Sequence, residues 1–245
     1  MQERKVRIAT RDGSMGCTVF HPDGGGPFAP VILYMDAPGL REELRDMARR
    51  IATVGYYVLL PDLYYRMGEE LNVGGEDFHG DESVRKKMWN WLRGIDNAKI
   101  VSDTEFLLKF IDEDRKARTG SVGCVGYCMS GQFVFAVGAA YPQRFAAIAS
   151  IYGAGLMTDQ SDSPHLTAAR IRGEIYFACA EIDAYFPPEK VVALEKHLAG
   201  AGIDYRVEFY PGAEHGFAFP QRHCYDKRAA ERHWERLFDL FRRNL

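Results

Sequence analysis

Residues 121 to 131, Ser-Val-Gly-Cys-Val-Gly-Tyr-Cys-Met-Ser-Gly, carry an apolar stretch into Gly126-Tyr127-Cys128-Met129-Ser130-Gly131 and then into a second apolar stretch. A strand that turns sharply into a helix strains the residue at the bend, and small residues two before and two after it let the chains pass closely. Gly126 and Ser130 occupy those positions. Such a bend lifts its central side chain above the sheet and aims the first amides of the helix at it, which favours a thiolate and, later, an oxyanion. Cys128 therefore reads as a nucleophile in the place more often held by serine, and not as the small buried residue that a free cysteine ordinarily is. Ser130 is the rival nucleophile, but its own flanking positions hold Cys128 and Gln132 where small residues are wanted.

A nucleophile of this kind needs a base, and the base an orienting acid, in the chain order nucleophile, acid, histidine. Among seven histidines, His215 stands in Pro-Gly-Ala-Glu-His-Gly-Phe-Ala-Phe, a glycine-flanked loop just after an apolar run, where a turn can swing an imidazole over a sheet edge. His21, His197, His223 and His233 sit in hairpin or helical contexts for which a solvated surface role is the default, and His79 and His165 follow no strand. Asp183, in Ala-Cys-Ala-Glu-Ile-Asp-Ala-Tyr-Phe-Pro, lies immediately beyond another apolar run and is the expected acid, with Glu181 as its competitor.

The elements that must position these residues are readable as periodicities. Short β-branched runs at Val31 to Met35, Tyr57 to Leu60, Ser121 to Val125, Ala147 to Ile151, Ile175 to Cys179 and Tyr205 to Tyr210 alternate with helical stretches, the signature of a mainly parallel sheet covered on both faces. Val6 to Ile8 and Cys17 to Phe20 flank Asp12-Gly13 and predict an antiparallel hairpin within residues 1–29, which brings the sheet to about eight strands. Leu44, Met47, Ala48 and Ile51 form one helical stripe and Trp234, Leu237, Phe238 and Phe241 another. Gly131 to Ala140 has no polar face beyond Gln132 and predicts a fully buried central helix. The strand-free stretch 62–100 mixes glycines with Tyr64, Tyr65, Phe78, Trp89 and Trp91 and could lid a pocket.

The totals set bounds on the class. A chain of 245 residues with 47% hydrophobic content suits a single α/β domain over 1–245, since Gly24-Gly25-Gly26-Pro27 reads as a turn and not a linker. A net charge of -3 gives no pull toward nucleic acid or an acidic membrane, and small molecules are the expected partners. The N-terminal stretch lacks a secretory profile, no apolar run is long enough to span a bilayer, and five cysteines without metal-ligand spacing fit a reducing compartment, so a cytoplasmic protein with no metal site is expected.

At these motifs the sequence resembles the dienelactone hydrolase (carboxymethylenebutenolidase) family, through Gly-Tyr-Cys-Met-Ser-Gly, Pro-Asp-Leu-Tyr-Tyr-Arg, Ile-Tyr-Gly-Ala-Gly, Ala-Glu-Ile-Asp-Ala-Tyr-Phe-Pro and Pro-Gly-Ala-Glu-His-Gly-Phe-Ala-Phe, over roughly residues 30 to 220. The resemblance implies an α/β-hydrolase fold without a large cap, a Cys128, His215, Asp183 triad, and an oxyanion hole made by the backbone amides of Ala37 and Met129. It also implies that Asp36, where the family usually has glutamate, contacts the thiol and gates its ionisation. Arg85 resembles one of the family's two substrate-carboxylate arginines. The other normally lies four residues after the base, where this chain has Phe219, and Arg222 is the nearest cation.

The expected chemistry is acyl transfer to water without a cofactor: thiolate attack on an ester or lactone, then hydrolysis of the thioester. A general carboxylesterase is a close alternative, because a pocket without a second cation has little reason to select a carboxylated lactone. A non-catalytic binding protein that kept the fold is the alternative of another class.

Overall fold

The computed structural model describes residues 1–68, 70–74 and 81–245. Its centre is a sheet of eight strands in the order β1 (Gln2–Thr10), β2 (Gly13–His21), β4 (Tyr57–Pro61), β3 (Pro30–Tyr34), β5 (Val122–Tyr127), β6 (Phe145–Ile151), β7 (Glu174–Ile182) and β8 (Tyr205–Glu214). β1 and β2 form the expected hairpin and β2 meets β4 antiparallel, while every pairing from β4 through to β8 is parallel. The central strands β3, β4 and β5 are buried along their whole length, which is why they read as unbroken apolar runs and not as alternations.

Helices cover both faces. α1 (Glu42–Thr53) and α6 (Lys227–Asn244) are joined by the ion pair Arg50 to Glu231 at 2.6 Å and share one face. α4 (Ser130–Ala140) lies on the other, against β5 and β6, with α3 (Asn97–Glu113) beside it and α5 (Pro188–Ala199) against β7. Two glycines of β5 mark the two faces. A Cβ on Gly123 would meet Phe241 of α6 and Leu245 just beyond it, whereas one on Gly126 would collide with the Ser130 carbonyl at the head of α4; an odd spacing along a strand points to opposite faces. α4 is buried nearly all round, as its lack of a polar face requires.

The stretch 62–100 holds a buried turn around Tyr64, then α2 (Glu82–Leu92) and the start of α3. Phe78, with Gly75, Gly80 and His79, lies outside the described residues. Two expectations about histidines are corrected here: His233 and His21 are buried, not solvated. His233 lies four residues before Leu237 and eight before Phe241, on the stripe of α6 that faces the sheet, so helical spacing overrides the polar default for its residue type. Among the described residues no helix is long and apolar enough to cross a membrane.

Candidate active site

Parallel strands deliver their carboxyl ends to one edge of the sheet, and side chains from four of those ends meet there. β3 leads to Asp36 and Ala37, β5 to Cys128, β7 to Asp183 and β8 to His215. β3 and β5 are neighbours, which sets residues 36 and 37 beside the elbow. Ile182 is paired with Glu214, and the His215 N–H donates to the Ile182 carbonyl at 3.1 Å, which brings the following residue, Asp183, alongside the imidazole.

Cys128 has φ 55°, in the left-handed region that a non-glycine residue enters only under constraint. Its N–H donates to the Ile151 carbonyl at 3.1 Å, and its own carbonyl accepts from Gly131 at 3.1 Å and Ala154 at 2.9 Å. Close packing on either side holds the bend: a side chain on Gly131 would collide with Gly153. Ser130 is buried, and its hydroxyl donates to the Met35 carbonyl, so it braces the bend against β3 and does not face the cavity.

The His215 Nδ1 lies 2.8 Å from Asp183 Oδ2, and the carboxylate partner makes Nδ1 the protonated nitrogen. Asp183 is itself fixed, since its Oδ1 accepts from the backbone N–H groups of Tyr185 at 2.8 Å and Phe186 at 3.1 Å. Glu181 is exposed and accepts from the Gly212 N–H at 2.7 Å, away from the imidazole's Nδ1. His215 Nε2 is buried without a hydrogen bond of standard geometry, yet the Cys128 thiolate is the charge that acts most strongly on the ring. Burial disfavours the imidazolium, but the thiolate and Asp183 outweigh it and push His215 up to about 9. Burial likewise raises the Cys128 thiol, but the His215 charge prevails, with help from Arg222 and against Asp36, and the thiol ends below its ordinary value.

Asp36 is fully buried and forms ion pairs with Arg41, at 2.5 Å, and with Arg222. Both guanidinium groups stack on the Phe219 ring, at 4.5 and 4.8 Å from its centroid. Arg41 also binds Glu43 at 2.9 Å, and Glu43 in turn accepts from the Gln221 N–H at 2.9 Å, so this buried cluster ties the loop after β3 to the loop after β8. Among the described residues the side-chain hydrogen bonds of the Asp36 carboxylate go to arginines, and its action on the thiol is through charge. Arg222 lines the cavity beside Cys128; Arg85 is exposed on α2 and does not line it, although its charge reaches Tyr185, which does.

Ala37 and Met129 both line the cavity, and among the described residues neither backbone N–H donates to a protein acceptor. Two amides left open at the floor of a pocket can receive an oxyanion. The next peptide along, Ala37–Pro38, is held by the Tyr64 hydroxyl, which donates to the Ala37 carbonyl at 2.8 Å. The cavity measures about 390 Å³, and its walls come from α2 and the start of α3, from α4, and from the loop after β6. Sequence reasoning did not find Arg41, Glu43 or the anchoring part of Tyr64. Arg41 and Glu43 bracket the start of a surface-type helix and carry no spacing signal, and a tyrosine in an aromatic-rich stretch reads as packing.

Comparison with known proteins identifies the family and the fold. The model of the "Dienelactone hydrolase family" matches residues 15–245. The chain is 28% identical over 243 residues to the "Putative carboxymethylenebutenolidase" of Synechocystis sp., covering 98% of this chain and 96% of that one. It is 30% identical over 196 residues to the "Carboxymethylenebutenolidase homolog" of Rattus norvegicus, covering 78% and 71% respectively. The crystal structure of the "Putative Dienelactone Hydrolase" of Klebsiella pneumoniae superimposes with a TM-score of 0.85 at 22% identity over 98% of both chains, which is the α/β-hydrolase fold with no separate cap domain. With a family match across nearly its whole length, the chain belongs to the dienelactone hydrolase family and is a carboxylic ester hydrolase.

Proposed function

We propose that this hydrolase cleaves small, activated, uncharged esters or lactones through Cys128, His215 and Asp183, by way of a thioester on Cys128. The observation that carries the reading is a cysteine at a strained elbow whose ionisation is tied to a histidine held 2.8 Å from a buried carboxylate. With the histidine raised and the thiol lowered, a thiolate and imidazolium form together without substrate. The thiolate sulfur attacks the carbonyl carbon, and the carbonyl electron pair moves onto oxygen, within reach of the Ala37 and Met129 amides. Collapse of the tetrahedral intermediate breaks the bond to the leaving alkoxide, which takes the proton from His215 Nε2. The neutral imidazole then deprotonates water, water attacks the thioester, and the acid leaves as the thiolate and imidazolium are restored. Amides are poor substrates on this reading, because a thiolate is a better leaving group than an amine.

The cation pattern favours the general carboxylesterase reading over a carboxylated dienelactone. Arg222 is committed to Asp36, Arg85 stands outside the cavity, and Phe219 occupies the position where the resemblance leads one to look for a cation. Asp36, held between two arginines, is proposed to tune the thiol by charge and not to act as a movable gate. Free thiols fit a reducing compartment and support a cytoplasmic site of action.

The test is hydrolysis of p-nitrophenyl acetate, short alkyl esters and enol lactones by the native protein and Cys128→Ala, with acid-quenched samples analysed by mass spectrometry. The native protein is expected to turn over activated esters and to accumulate an acyl adduct on the peptide containing Cys128. An adduct elsewhere, or an alanine variant with native rates, sinks the assignment.

A further inference from the structure

α4 carries two polar side chains, Ser130 and Gln132, and Ser130 is spent on the Met35 carbonyl. Gln132 lines the cavity one helical turn, about 5 Å along the axis, beyond Met129, which lines it too. Among the described residues no protein group hydrogen-bonds to the Gln132 amide, and neither Oε1 nor Nε2 is sealed from solvent. The amide is nonetheless held in place. A Cβ on Gly155, where φ is 70°, would lie 2.9 Å from both Cδ and Oε1 of Gln132 and 3.0 Å from its Nε2. Near-equal distances set that position over the face of the amide and leave its edge, with donor and acceptor, open. Gly155 follows Ala154, whose N–H donates to the Cys128 carbonyl at 2.9 Å, so the same loop fixes Gln132 relative to the thiol.

The chemistry that suits this edge is polar and neutral. A glutamine amide both donates and accepts, and a hydroxyl can answer either end, whereas a carboxylate answers the donor alone. Among the described residues lining the cavity, the carboxylates are Asp96 and Asp162, and the single arginine or lysine is Arg222, which is ion-paired with Asp36. A second carboxylate source therefore meets like charge and no open cation. A plain alkyl chain laid against the Gln132 edge would cover a donor and an acceptor without replacing their hydrogen bonds to water.

We propose that Gln132 is a specificity-determining residue that hydrogen-bonds a hydroxyl on the acyl chain, close to the carbonyl, so that short hydroxyacyl esters are preferred to their alkanoyl counterparts. The inference rests on the Cys128 reading and names the acyl class that the same cavity takes. In that reading the carbonyl oxygen points at the Ala37 and Met129 amides and the leaving oxygen at His215, so the acyl chain takes the remaining direction, along α4. One turn of helix from Met129 puts the amide within reach of a substituent near the carbonyl and not of the tip of a long chain.

The test compares p-nitrophenyl butyrate with the two enantiomers of p-nitrophenyl 3-hydroxybutyrate, each kcat/KM being divided by the ester's own hydroxide-catalysed rate to remove its intrinsic reactivity. One enantiomer is expected to exceed butyrate about three- to tenfold in the native protein, the worth of one net hydrogen bond. Gln132→Met, of similar length and suited to a helix, should abolish that advantage while butyrate hydrolysis stays within about twofold. Gln132→Asn keeps the amide but draws it back by one methylene, and should abolish the advantage as well. A merely structural role would lower both esters together and leave their ratio alone. No preference for either enantiomer in the native protein, an advantage that survives Gln132→Met, or a parallel fall of both esters would overturn the proposal while the Cys128 reading stands. A native protein that hydrolyses none of the three esters would sink the Cys128 reading and this inference with it.

Discussion

The carboxyl edge of the sheet and the interior just beneath it hold the same two residue types in opposite states. At the edge, Cys128 lies below its ordinary pKa and His215 is pushed up to about 9. In the interior, burial drives the Cys124 thiol of β5 far up and lowers His233 of α6 to about 3. His233 is neutral by its partners as well: Nδ1 donates to the Ala230 carbonyl at 2.5 Å and Nε2 accepts from the Tyr127 hydroxyl at 3.0 Å. Tyr127, the last residue of β5, is adjacent to Cys128 in the chain, so the partner of the neutral histidine stands next to the thiol at the edge. Removal from water neutralises an ionisable group unless an opposite charge is set against it, and for Cys128 and His215 the edge, where loops from β5, β7 and β8 converge, supplies that charge.

The comparison breaks most completely if its central thiol is removed. Cys128→Ala is expected to lower kcat/KM on p-nitrophenyl acetate by about 10⁴-fold or more, on the order of 5 kcal/mol of transition-state stabilisation. The same change should let His215 fall, because the thiolate is its strongest favourable charge, and NMR titration of the imidazole checks this. Cys124→Ala, with no charge partner to lose, should leave the rate within about threefold.

Asp183→Asn is the next largest break, with an expected loss of about 10³-fold, near 4 kcal/mol, because an amide neither orients the ring nor stabilises its cation. Its pH profile is more informative than its rate. Native kcat/KM should rise as Cys128 ionises and fall through about 9 as Nε2 loses the proton it must give the leaving group. Without Asp183 the imidazolium is less stable and the thiolate loses part of its partner, so the alkaline limb should move down and the acid limb up. A profile of unchanged width would show that Asp183 does not set the pair.

The interior histidine predicts stability, not rate. The folded value of about 3 lies below the ordinary unfolded value of about 6.5, so between those limits the unfolded chain binds a proton that the folded chain does not. Stability therefore falls as pH drops below about 6.5, by up to about 1.4 kcal/mol per unit and roughly 3 kcal/mol by pH 4. In His233→Gln, which cannot titrate, urea unfolding should lose most of that slope. Equal slopes in the two proteins would mean that the imidazole is already protonated in the fold.

These contrasts also explain how much could be read from residues alone. Strand runs, the hairpin and the buried central helix follow from local periodicity, and Cys128, Asp183 and His215 follow from motifs at strand ends, because one chain segment fixes each of them. His233 defied its residue type but obeyed its spacing. The Asp36, Arg41, Glu43, Arg222 cluster was out of reach in a stronger sense, since it joins loops after β3 and β8 that are separated by most of the chain. No local pattern says that two arginines will converge on one aspartate.

Tyr64 gives the smallest effect and the finest test of how the edge is built. Its hydroxyl touches neither Cys128 nor His215 in the hydrogen-bond pattern; it donates to the Ala37 carbonyl, while its ring packs on Trp91 at 5.5 Å between centroids. Tyr64→Phe keeps the ring and leaves that carbonyl without its partner, at a cost of about 1 kcal/mol. If the Ala37 amide receives the oxyanion, a looser Ala37 should lower kcat about three- to tenfold with KM nearly unchanged, because the lost alignment matters only in the transition state. The pH limbs should stay where they are, since the charge pair of Cys128 and His215 is untouched. A fall confined to thermal stability, with native kcat, would place Tyr64 with the packing beneath the edge and remove Ala37 from the chemistry.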